Sequence, residues 1–191
     1  MNPELATLME LANSCDPEEA GNALGEIGIY LEYSVKVINA PADDLSKHQA
    51  QYRRPPILIS STLLSDPACL QTQQDVVAKL LTGAAARDHL GTVCWVLSKA
   101  HPLVAARPLA QQLIDNRTSD SRWLVFQIII GLQNCIFFSI DADTFVKVDR
   151  IWQEYPVEQE VQRWVDSDGV PDIASAARDF VDMLRRHREE H

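Results

Sequence analysis

The densest chemistry in this chain lies in its acids. Asp141, Asp143, Asp149, Glu154, Glu158 and Glu160 crowd one stretch, with Trp152 and Tyr155 among them. Carboxylates in helix-forming sequence fill first turns, where the helix dipole favours them, or build a negative field that speeds capture of a basic surface. Interleaved aromatic residues can anchor the complex so formed. These residues are therefore the candidate contact set for a basic protein partner. Asp141 also stands where it would cap a helix.

Other residue types offer less. His48, His89, His101, His187 and His191 lack the H-E-x-x-H spacing, and Cys15, Cys69, Cys94 and Cys135 are far apart with no C-x-x-C pair. They read as reduced core thiols. Asp166-x-Asp168-Gly169-x-x-Asp172 glances at a calcium loop, but Val170 holds the fifth position and Ala177 the twelfth, where a bidentate Glu is required. The chain has no G-x-S-x-G, no glycine-rich phosphate loop and no Cys-with-His signature. The expectation is a protein that is not an enzyme and uses no metal or cofactor.

Total charge points the same way. Lys and Arg number 17 against 27 Asp and Glu, a formal charge of -10, which argues against holding nucleic acid through its phosphates. The acids are unevenly laid out: residues 1–35 hold seven acids and no base, and residues 141–182 hold eleven acids against four bases. No basic, unbroken apolar leader opens the sequence, since Glu4 and Glu10 interrupt it and Lys36 is the first base. Cytoplasmic residence is expected.

The elements that must position these groups read as helices throughout. Pro3, Asp16-Pro17, Asp66-Pro67, Asp141 and Pro171 mark helix starts. Ala20, Leu24, Ile27, Leu31, Val35 and Ile38 step by three or four residues, predicting a long helix to about Val37. Residues 39–56 are irregular, with a short helix near 43–51 and an exposed loop at Tyr52–Pro56; residues 57–64 are read as helix. Helices follow on Val76, Val77 and Leu80, on Val93, Cys94 and Leu97, and over 103–114 with Pro108 inside. Residues 120–140 form the most apolar stretch, uncharged after Arg122 and apolar on every side of a helix, so full coverage by protein is expected. Its amides, Gln127, Gln133 and Asn134, and the acids that follow oppose a membrane span. Phe145, Val148, Ile151, Trp152 and Tyr155 form the next stripe; a shorter helix ends near Asp168-Gly169, and Ile173, Ala177, Phe180 and Leu184 form the last. With 191 residues, one all-helical domain over 1–191 is expected.

Offset by 32 residues, Val77, Leu81, Asp88, Val93, Val96, Leu97 and Ala100 fall on Leu109, Leu113, Asp120, Val125, Ile128, Ile129 and Leu132. With Asp120-Ser121-Arg122 opening the second helix, Leu109 to Leu132 resembles a HEAT-type repeat, and the likeness covers about Leu70 to Ile136. His89-Leu90 replaces the expected Arg in the earlier repeat, and Phe126, Ile130 and Phe137 are bulkier than the pattern. The resemblance implies an all-α, HEAT-like right-handed stack of antiparallel helix pairs; an irregular helical bundle is the alternative.

In profile, the small, acidic, all-helical chain is similar to the immunity proteins that bacteria keep against their own toxins. That likeness implies a basic partner, a cognate toxin domain acting on nucleic acid, and no nucleic-acid or membrane binding. A HEAT-type adaptor or scaffold in a larger complex is the competing expectation.

Overall fold

The computed structural model describes residues 3–39, 69–165 and 171–190. The expectations for the 43–51 helix, the Tyr52–Pro56 loop, the 57–64 helix, the Asp66-Pro67 start and the helix end near Asp168-Gly169 all lie outside these residues. The chain is all-α: among the described residues there are ten helices and no strand. They are α1 (Pro3–Leu11), α2 (Pro17–Asn39), α3 (Cys69–Thr82), α4 (Ala84–Asp88), α5 (Leu90–Leu97), α6 (Pro102–Asp115), α7 (Arg122–Phe137), α8 (Ala142–Glu154), α9 (Val157–Val165) and α10 (Pro171–Glu190). They gather into two compact units, Met1–His101 and Pro102–His191.

In the first unit α2 is the spine. The Asp16 carboxylate caps it, accepting from the Glu18 N–H at 2.9 Å, and Ala20, Leu24, Ile27, Leu31 and Val35 are buried as the periodicity requires. It packs against α1 and α5. The α2–α5 approach is close at Gly28, where a Cβ would stand 2.7 Å from Cζ3 of Trp95, so any larger residue would force that ring to shift. Asn13 ties the end of α1 to α4, its Oδ1 accepting from the Ala85 N–H at 3.1 Å. Gln73 on α3, fully buried, accepts from the His101 N–H at 2.8 Å. Glu32 on α2 is bracketed by Lys36 at 3.0 Å and Lys99 at 3.3 Å.

In the second unit α7 packs on α6 and α10, α8 on α6, and α9 on α10. Ser121 caps α7, its hydroxyl accepting from the Leu124 N–H, so the helix begins at Arg122 and not at Asp120. The α6 helix runs through Pro108. Full coverage of α7 is not what the structure has. Leu124, Val125, Ile128, Ile129, Leu132 and Ile136 are buried, but Trp123 and Phe137 are 58% and 69% exposed. A helix that is apolar all round carries no polar stripe to mark which side stays open.

The two stretches related by 32 residues do not form identical pairs. Helices α6 and α7 pack on one another directly, whereas α5 is half the length of α7, packs chiefly on α2, and is separated from α3 by α4. Among the described residues, no helix is long and apolar enough to cross a membrane.

Candidate protein-binding surface

The acids singled out in the sequence sit on α8 and α9, which meet at a sharp break. Tyr155 leaves helical geometry for an extended backbone (φ -120°, ψ 141°), and Pro156 follows before α9 resumes at Val157. The break opens a groove of about 710 Å³ between α8, α9 and the end of α10, with Tyr155, Pro156 and Glu158 on one side and Leu184 and Arg188 on the other.

Two arginines organise its charge. Arg188, in the last turn of α10, donates to Asp149 Oδ1 from Nε at 3.1 Å and Nη2 at 2.8 Å, and to Glu158 from Nη1 at 2.7 Å. The Asp149 hydrogen bond, aided by Glu158, raises the Arg188 guanidinium above its ordinary value despite partial desolvation. Arg107, from α6, donates to Glu154 at 2.7 Å and to the Tyr155 hydroxyl at 3.2 Å, with its guanidinium 5.7 Å from the Tyr155 ring centroid. One long helix end thus neutralises α8 and α9 together, and α6 neutralises the corner.

The remaining candidates are spoken for as well. Asp141 caps α8, accepting from the Thr144 N–H and hydroxyl at 2.8 Å each, and these bonds hold its carboxyl below the usual range. Asp143 pairs with Lys147 one turn on. Two expectations need correction. Trp152 is 3% exposed, donates from Nε1 to the Ala106 carbonyl and meets Phe180 edge-on at 5.5 Å, so it is a core residue and offers a partner no ring. Glu160 is 4% exposed and accepts from Arg163 at 2.6 Å, so its carboxylate is turned into the protein. Aromatic and acidic residues at helical spacing have two faces to choose from, and sequence spacing alone does not choose.

Sequence reasoning put its weight on these acids and passed over a second set. On α1 and α2, Glu10, Glu18, Glu19 and Glu26 have no basic partner among the described residues. Glu18, Glu19 and Glu26 rim a shallow groove of about 370 Å³ whose apolar floor includes Leu8, Leu11 and Ala23. The signal was in the composition, because residues 1–35 contain no base to pair with.

Cys69, Cys94 and Cys135 are buried core thiols as expected, but Cys15 is exposed, which corrects the expectation for that residue. Burial pushes the Cys94 thiol up to about 12 and raises Cys135 as well, so neither is a thiolate near neutrality. Among the described residues no group of three His, Cys, Asp or Glu side chains is placed to hold a metal ion. No known protein family, curated protein or solved structure matches this chain.

Proposed function

We propose that this protein is a non-catalytic binding protein for a basic protein partner, and that its specific role is to neutralise a toxin domain that acts on nucleic acid. The observation that carries the reading is the acidic rim of α1 and α2. Glu18 and Glu19 are exposed and Glu26 partly so, none has a basic partner among the described residues, and the groove they rim is also lined by Leu8, Leu11 and Ala23. A domain that holds phosphates must be basic, and an acidic surface that mimics its substrate gains fast, electrostatically steered association. The α8–α9 acids serve this role less directly, since Arg188, Arg107 and Lys147 already engage them.

The HEAT-type arrangement belongs to the same proposal. Helices α6 and α7 pack on one another as such a pair would, and the 32-residue likeness between the two stretches is the sequence feature that supports this reading.

The test begins with capture of the native partner and measurement of its association rate across a salt series. Association should slow steeply as salt rises. Reversing Glu18, Glu19 and Glu26 together to Lys should lower the on-rate by about 10-fold or more at low salt, with the helical signal intact. Reversal of Glu154 and Glu158 should have a smaller effect. An acidic partner, or an on-rate indifferent to the α1–α2 reversal, would transfer the assignment to a HEAT-type adaptor.

A further inference from the structure

The open side of α7 is an uncharged, mostly apolar seam that includes two amides, of which Gln133 donates to the Ala176 carbonyl of α10 at 2.7 Å. Beyond Arg122 at the first position of α7, the partly or fully exposed positions are Trp123, Phe126, Ile130, Gln133, Asn134 and Phe137, which share roughly a third of the helix circumference. Trp123, Phe126, Ile130, Gln133 and Phe137 alternate spacings of three and four, as the facing positions of a helix-on-helix seam do. Just beyond the helix end, Ile140 is 63% exposed. From Trp123 to Ile140 there is no charged residue.

We propose that this seam joins two copies of the chain, with the α7 helices antiparallel across a two-fold axis at Ile130. Three features select a second copy as the occupant. First, the seam is self-complementary: Trp123 and Phe137 stand seven residues to either side of Ile130, about 10 Å each way. A two-fold axis there lays Trp123 of each copy on Phe137 of the other. Secondly, a chain of charge -10 meets its like most cheaply where neither copy carries charge, and this is such a surface.

Thirdly, the charges at the two ends set the polarity. The amino-terminal end carries Arg117 and Arg122, both exposed and without an acidic partner among the described residues, against Asp120. The carboxy-terminal end carries Asp141 and Asp143 against Lys147. An antiparallel pair sets a net positive end on a net negative one, and a parallel pair would set like on like.

The area is sufficient to begin an interface. At 58%, 69% and 63% exposure, Trp123, Phe137 and Ile140 present about 400 Å² between them, roughly half of what one partner contributes to a standard interface. Phe126, Ile130 and Phe138, all partly exposed, border the same strip.

Sedimentation equilibrium of the full chain tests the proposal, and a concentration-dependent dimer is expected. Phe137→Glu alters a side chain that is mostly in solvent, so folding should persist while dimerisation weakens by roughly 100-fold or more, each substitution acting twice. The register is tested by Ile130→Cys in a Cys15→Ser background. A short bismaleimide should cross-link two copies through position 130, and should not do so through the exposed position of Gln159→Cys on α9, a helix that does not pack on α7. A chain that stays monomeric at all concentrations overturns the proposal, including the case in which its own residues shield Trp123 from a soluble quencher. So does a dimer that survives Phe137→Glu, or one whose copies fail to cross-link at position 130.

Discussion

Trp152 separates two accounts of the α8 stripe, because a partner anchor and a core residue respond oppositely to truncation. Its side chain is 3% exposed, so Trp152→Ala removes about 150 Å² of surface that folding had buried, worth ~4 kcal/mol at about 25 cal/mol per Å². The edge-on contact with Phe180 at 5.5 Å adds up to about 1 kcal/mol, and the 3.4 Å bond to the Ala106 carbonyl adds less, being long. Partial collapse of α8 and α10 into the void recovers some of this, leaving an expected loss of about 3–5 kcal/mol. For a unit of this size the unfolding midpoint should fall by roughly 15–30 °C. Thermal and urea unfolding followed by circular dichroism measure it, with Trp152→Phe expected to lose markedly less. A Trp152→Ala protein within about 1 kcal/mol of the parent would refute the assignment of this ring to the core.

Other perturbations follow from the same structure. Gly28→Ala forces a methyl against the Trp95 ring and should destabilise by about 1–3 kcal/mol in a urea titration, whereas Gly21→Ala, with open space around it, should not. Burial alone would raise the Glu32 carboxyl, but the Lys36 hydrogen bond and the charges of Lys99 and Lys36 outweigh it and hold the group below its ordinary value. Its contribution is therefore present above the unfolded-state value and lost as pH falls through the folded one, so the stability gap between the parent and Glu32→Gln should close on acidification. A thiol reagent should modify the exposed Cys15 quickly in the native protein and reach the buried Cys69, Cys94 and Cys135 only on unfolding. Fast native labelling of more than one thiol would contradict the packing.

The helices were legible because their signals are local. Buried Ala20, Leu24, Ile27 and Leu31 follow one another within a turn, and the caps at Asp16 and Asp141 sit two or three residues from the N–H groups they accept from. What the sequence concealed is non-local. Arg188 lies 39 residues from Asp149 and 30 from Glu158, and the basic end of α10 had a sufficient local explanation in the helix dipole. The same acids therefore read as a free negative surface until the fold brought a guanidinium between them. Glu10, Glu18, Glu19 and Glu26 escaped that fate for a compositional reason, since no base occurs before Lys36 and, among the described residues, the cations paired with an α2 acid, Lys36 and Lys99, both engage Glu32. Uncompensated charge is thus better sought where a unit lacks bases in reach than where acids are most numerous. By that criterion the amino-terminal rim, and not the α8–α9 corner, is where a basic partner meets carboxylates without first breaking an ion pair.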